Sequence, residues 1–174
     1  MSAFHPFLPL VSEVSFRPIP DISEICHLRS MKDQIDQHVR WEPLPNLLEY
    51  PLDSLDVTFS DLELVATAKY AFDPPTKGLR INFGGVEAFK VYEEFSDPWM
   101  ETNEPLPMVE NPELTPWVWP LQEIKNSRWI ARVVGRNGGA MELDPWRHLV
   151  LITGASTLHV MTMHEPTVEL LQAS

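Results

Sequence analysis

The sequence is short of thiols: Cys26 is the only cysteine among 174 residues. One thiol excludes an internal disulfide. A nucleophilic cysteine needs a base and an orienting group, and nothing in the sequence ties either to Cys26, which reads as a small buried apolar residue. Basic residues are scarce as well, 13 Lys and Arg against 25 Asp and Glu, for a net charge of -12. That balance argues against nucleic acid as a ligand, because phosphate binding needs clustered cations. It favours a basic partner drawn in by electrostatic steering. Long hydrophobic runs are missing too. No stretch approaches 18 consecutive apolar residues, and Glu13 interrupts the apolar part of the opening MSAFHPFLPLVSEVSFRP. The chain therefore reads as cytoplasmic, with neither a secretory signal nor a membrane span.

Catalytic and cofactor signatures are equally absent. There is no HExxH, no paired cysteine spacing, no calcium loop, no P-loop or dinucleotide fingerprint and no GxSxG elbow. No catalytic residue, cofactor or metal ligand is assigned on this basis. The six histidines are His5, His27, His38, His148, His159 and His164. His159 and His164 fall on opposite faces of a regular strand. A turn at 154–156 puts His148 nearer residues 162–163 than His159, so no pair is expected to converge. Glycoside hydrolysis needs two carboxylates held a few ångströms apart, and nothing distinguishes one acidic pair from another.

What is present is an ordinary globular composition, 44% hydrophobic and 22% charged, in a length that fits one domain. Seventeen prolines cut the chain into short elements. Asp21 and Glu24 form a capping box ahead of Ile25, Leu28, Ile35 and Val39, which predicts a helix over 21–38. Leu62, Leu64, Ala66, Ala68 and Tyr70 alternate with polar residues, the period of a strand with one buried face. Leu79, Ile81 and Phe83 alternate likewise, and Gly84-Gly85 predicts a hairpin into a strand around Glu87, Phe89 and Val91. A helix is expected over 124–135, capped by Asn126 or Ser127 and ended by Asn137-Gly138-Gly139. Leu149–Thr153 and Leu158–Met163 form a second hairpin, and Pro166 is placed to open a short final helix. The fold class expected is α+β: a mainly antiparallel sheet with a helix near the N-terminus and one or two short helices in the last third.

The strongest feature is charge segregation. Residues 91–124 hold eight acids, Glu93, Glu94, Asp97, Glu101, Glu104, Glu110, Glu113 and Glu123, and no Lys or Arg. The rest of the chain carries seventeen acids against thirteen bases, so two-thirds of the net charge sits in one-fifth of the length. Trp99, Trp117 and Trp119 and six prolines share the segment. It reads as an irregular excursion from the sheet at about 93–123, and long loops in compact domains usually carry function. Tryptophans can anchor an interface whose acidic surroundings attract a basic protein. Partner-binding candidates are therefore Glu93, Glu94, Asp97, Trp99, Glu101, Glu104, Glu110, Glu113, Trp117 and Trp119. Arg128, Arg132 and Arg136 recur every four residues and make one helical stripe, read as a solvated face. Met161, Met163 and His159 share a strand face and read as packing.

Two stretches carry a family likeness: GLRINFGGVEAFKVYEE at 78–94, and NSRWIARV at 126–133 followed by RHLVLITGASTLHVMTMHEPTVELL at 147–171. Their order resembles that in small uncharacterised bacterial proteins, some of them immunity-like proteins of toxin systems. There, a strand ending in an acidic pair precedes a Ser-x-Trp segment and a closing hairpin that runs into Glu-Pro. The resemblance implies a non-catalytic binding protein and supplies no catalytic residues. The expected function is a small cytoplasmic domain that captures a basic protein. The alternatives are an enzyme whose carboxylates and histidines meet only in the fold, and a homo-oligomer formed by strand pairing at an open edge.

Overall fold

The alternating runs become strands, and the longest of them organises the rest. A computed structural model describes residues 35–72, 76–93, 108–109, 119–137 and 141–172. Within these, nine strands are joined by one helix: β1 (Gln37–Arg40), β2 (Leu52–Ser60), β3 (Glu63–Tyr70), β4 (Thr76–Glu93), β5 (Met108–Val109), β6 (Leu121–Lys125), α1 (Arg128–Arg136), β7 (Arg147–Ile152), β8 (Ser156–Thr162) and β9 (Thr167–Gln172).

Strand β4 is 18 residues long and belongs to two layers. Its first half pairs with β3 on one side and β9 on the other. With β2 beside β3, this makes a four-stranded layer in the order β2-β3-β4-β9. Its second half pairs with β8, and that layer continues through β7, β6 and β1 to β5. Every pairing is antiparallel except the short contact of β1 with β5 and an isolated bridge between Leu52 and Thr153. The crossing point is Gly84-Gly85. Gly84 has φ +65°, a left-handed conformation that glycine adopts without a Cβ penalty. Its amide is held by Asn82 Oδ1 at 2.8 Å, and a register shift between Val86 and Ala88 completes the bend.

The two layers face each other across one core. Leu64, Ala66 and Ala68 of β3 and Leu79, Ile81 and Phe83 of β4 meet Leu121, Leu149, Leu151, Leu158 and Val160 of the other layer. Each fully buried Leu or Ile adds about 1.5–3 kcal/mol of transfer free energy. Alternation then decides the far side of the larger layer. Residues between the core positions (His148, Val150, His159 and Met161) are also buried, because α1 lies across them with Ile130 and Val134 against Met161. Strands buried on both faces lose the polar half of the period-two pattern.

The architecture corrects the expected fold class. The described residues are essentially all-β, with one nine-residue helix. Most of the helix expected over 21–38 lies outside the described residues, but its last two residues, Gln37 and His38, open strand β1, paired with β6. The final helix expected from Pro166 is instead β9, whose six residues hydrogen-bond to the edge of β4. A segment that short cannot carry the nucleation cost of a helix, whereas a strand edge offers partners at once. The expected Gly84-Gly85 hairpin is a bend within a single strand. The helix expected over 124–135 starts later, since Leu121–Lys125 is strand β6; Ser127 caps it and Asn137 closes it. The 149–153/158–163 hairpin forms as β7 and β8.

Close packing of β4 on β3 fixes the first layer. A Cβ at Gly78 would lie 2.2 Å from the Ala68 carbonyl oxygen, whereas one at Gly154 would meet nothing closer than 3.7 Å. Gly78→Ala is therefore expected to destabilise the protein by about 2–4 kcal/mol. Gly154→Ala should stay within about 0.5 kcal/mol of the parent. Urea unfolding of both variants checks the pair, and equal midpoints would refute the close approach.

Candidate functional site

Two places in the fold merit consideration: a buried polar chain beneath α1, and the surface where β4 leaves the sheet.

The polar chain begins with Ser127, the N-cap of α1. Its Oγ accepts the Ile130 amide at 3.1 Å, satisfying one of the unpaired donors of a helix start. The same oxygen lies 2.7 Å from His148 Nδ1. His148 Nε2 in turn lies 2.9 Å from His159 Nδ1. Trp129 packs on the His148 ring at 4.8 Å between centroids, and Tyr92 meets His159 edge-on at 5.6 Å. Lys90 of β4 lies over the Trp129 ring at 4.6 Å. A neighbouring link holds β1 to β6, with His38 Nδ1 at 2.7 Å from Gln122 Oε1. Asp36 fastens the helix start from the other side, accepting the Arg128 amide at 2.8 Å and its guanidinium at 3.3 Å.

Burial holds His148 neutral. Its pKa is pushed well below the usual value by desolvation first, then by the charges of His159, Lys90 and His38. A neutral imidazole has one N–H, so its two bonds run in one direction. If Ser127 donates to Nδ1, Nε2 donates to His159; reversed, both bonds reverse together.

Serine, histidine and a second histidine in a row have the order of an activated nucleophile. The surroundings assign them a different role. Ser127, His148 and His159 are 8%, 2% and 1% exposed, Trp129 covers the central ring, and the serine oxygen is engaged by the helix it caps. The chain ties α1 to the sheet through hydrogen bonds between Ser127 and His148 and between His148 and His159. Its convergence corrects the expectation that no histidine pair meets. The turn between β7 and β8 is shorter than expected, with Ile152 opposite Thr157, so His148 lies opposite Met161 and diagonal to His159. Among the described residues, no group of three or more His, Cys, Asp or Glu is placed to hold a metal ion.

The partner-binding candidates divide. Glu94, Asp97, Trp99, Glu101, Glu104, Glu110, Glu113 and Trp117 lie outside the described residues, as does Cys26. Glu93 is exposed at the end of β4. Trp119 is 4% exposed; its indole donates to the Trp41 carbonyl at 3.2 Å, and the Arg40 guanidinium lies 4.5 Å over its ring. Trp119 is thus spent inside the fold and is no surface anchor. Glu123, the last acid of the segment, is also internal. It pairs with Lys125 at 2.8 Å and Arg147 at 3.1 Å, and Arg147 reaches on to Glu165. Burial alone would raise the Glu123 carboxyl, but hydrogen bonds and charge from Arg147 and Lys125 outweigh it and hold the pKa below the usual value. The arginine stripe is partly committed as well: Arg128 pairs with Asp36, and the exposed Arg132 donates its Nε to the Arg128 carbonyl at 3.4 Å.

What sequence reasoning missed is on the surface of β4 and the β2–β3 turn. Phe89 and Val91 pair with Val160 and Leu158, which places them on the core-facing side of the layer. Among the described residues, Phe59 meets them from the opposing layer, its ring 5.1 Å from that of Phe89. Phe89, Val91, Phe59 and Leu62 are 36%, 47%, 47% and 69% exposed. Phe89 and Val91 alternate in the sequence as buried residues do, so β4 itself carries no signal of this exposure.

Two outcomes follow from the polar chain. Ser127→Ala removes a helix cap and a buried hydrogen bond, and should cost about 1–3 kcal/mol in urea unfolding. Because the folded state keeps His148 neutral, the unfolded chain binds the extra proton. Stability should therefore fall as pH drops below about 6.5, by up to about 1.4 kcal/mol per pH unit, and His148→Gln should flatten that slope. A pH-independent unfolding midpoint between about 5 and 7 would contradict the assignment.

No family model, curated protein or solved structure matches this chain.

Proposed function

We propose that the protein is a small, non-catalytic, cytoplasmic binding domain, immunity-like in manner, that captures a basic protein through its acidic segment and blocks it sterically. The observation that carries this reading is the placement of the charge. The chain leaves the larger layer at Glu93, on its β4 edge, and re-enters it at β5, on the opposite edge. Between these anchors it carries Glu94, Asp97, Glu101 and Glu104 with no cation. Such a field attracts a basic surface and repels acidic ones. The chemistry-bearing side chains beneath α1 are engaged with one another, which also supports a binding role over an enzymatic one. Among the described residues, no helix is long and apolar enough to cross a membrane.

Native mass spectrometry of the protein captured gently from its host is expected to show a basic protein bound in stoichiometric amount. Association of the two should slow by about tenfold or more when salt rises from about 20 to about 300 mM. Glu-to-Gln changes within 93–113 should release the partner. Capture of the bare chain, or a salt-independent association rate, would count against electrostatic capture.

A further inference from the structure

We infer that α1 is an acid-released latch: proton uptake beneath it lifts the helix from β7 and β8 while the core between the two layers stays closed, uncovering the apolar face around Met161. This goes beyond the binding reading above and does not rest on it.

The first support is the geometry of the groups that would take the proton. His148 is 2% exposed and uses both nitrogens, with Nδ1 2.7 Å from Ser127 Oγ and Nε2 2.9 Å from His159 Nδ1. A protonated imidazole donates from both nitrogens. Nδ1 would then have to donate to Ser127 Oγ, which already accepts the Ile130 amide, and the serine proton would need another acceptor. Nε2 would at the same time require His159 to accept. A second proton on His159 Nδ1 would set two donors 2.9 Å apart. The positive end of the α1 dipole lies at the same serine and disfavours a cation beside it.

The surrounding charges act in the same direction. His148 is met by His159 from β8, by Lys90 from β4 and by His38 from β1, and with burial these three keep the proton off it in the closed state. Tyr92 of β4 lies edge-on to His159. The acid at the helix start, Asp36, is held by Arg128. The acid of β6, Glu123, lies opposite Leu149 and so on the side away from α1, where it pairs with Arg147 and Lys125. In the open state the imidazole is in water and takes up the proton readily, so each proton bound favours opening.

The division of the core makes the opening local. α1 is held by a cluster of its own, Ile130, Val134 and Met161 with Trp129, Val133 and Trp146 against it, separate from the core between the layers. The strands of the first layer are joined by hydrogen-bonded ladders, whereas α1 rests on the sheet through side chains. A small cluster fastened at the helix start by Ser127 and Asp36 opens at lower cost than two layers closed on each other. His148 and His159 lie under this cluster, so acid acts on the weaker of the two cores.

The test uses the full chain, isotope-labelled, with amide hydrogen exchange followed from about pH 7 to about pH 5 and corrected for the intrinsic rate. Protection of the Ala131–Arg136 amides should fall by up to about tenfold per pH unit below about 6.5. It should lie below the protection of β3 and the first half of β4 at every pH, and about 1 M urea should lower the protection of those strands more than that of α1. His148→Gln should remove most of the pH dependence, while Ser127→Ala should lower α1 protection across the whole range. Protection of α1 that ignores pH would overturn the latch. So would α1 amides that exchange in step with those of β3 and β4, since the helix would then open only with the whole fold. A His148→Gln protein that keeps the full dependence would overturn it as well, because the proton would be taken up elsewhere.

Discussion

The fold depends on one strand passing through two layers. β4 supplies inward side chains to the first layer before Gly84-Gly85 and pairs the second layer after it, so the bend sets the angle at which the two apolar faces meet. Only a residue without a Cβ penalty takes φ +65° there at little cost. The bend is also held from outside: the Thr162 hydroxyl donates to the Gly85 carbonyl at 3.0 Å, and His164 lies against both glycines. A second tie, the Gly154 amide to the Leu52 carbonyl at 2.8 Å, joins the layers at another corner. With two corners pinned, the register of the core is set from both sides.

A layer buried on both faces faces a problem that the polar chain resolves. β7 and β8 turn one side to the core and the other to α1, yet the second side carries His148 and His159. Buried polar groups without partners would cost about 1–3 kcal/mol each. Here they are aligned so that each nitrogen of His148 meets a partner, and the chain ends on the serine that starts the helix. The same arrangement that satisfies His148 therefore fixes where α1 begins and which face it lays on the sheet. Asp36 adds a second fastening to the same helix start, so the position of α1 does not rely on apolar contact alone.

The strands were legible where one face was buried and the other wet. Leu64, Ala66, Ala68 and Tyr70 alternate cleanly because the outer face of β3 is exposed, and Leu79, Ile81 and Phe83 do the same. The readings that failed share a cause: local signals were outvoted by partners distant in sequence. Gly84-Gly85 has the composition of a hairpin, and only the presence of β8 and β3 on different halves of β4 makes it a bend. Val168 and Leu171 suggested a helix after Pro166, but the edge of β4 was available to pair with them. The histidine contact escaped notice for a smaller reason. A turn shorter than expected moves His148 opposite Met161, and a register difference of one or two residues decides whether two rings meet. The exposed strip at Phe89 and Val91 could not be read at all from β4 itself, because exposure there depends on what the opposing layer sets against it.

These constraints bear on how charge and apolar surface divide their work. The acids inside the fold are paired: Asp36 with Arg128, and Glu123 with Arg147 and Lys125. Asp61, Glu63, Glu87 and Glu93 are exposed and form no ion pair among the described residues. Attraction between charges reaches about a Debye length, near 8 Å at physiological salt, while apolar contact and backbone pairing act only on touching. On the binding reading, the acids set the rate and orientation of approach, and apolar contact sets how long the complex lasts. The strand that builds both layers thus also ends, at Glu93, where the acidic segment begins, with its second half paired to β8.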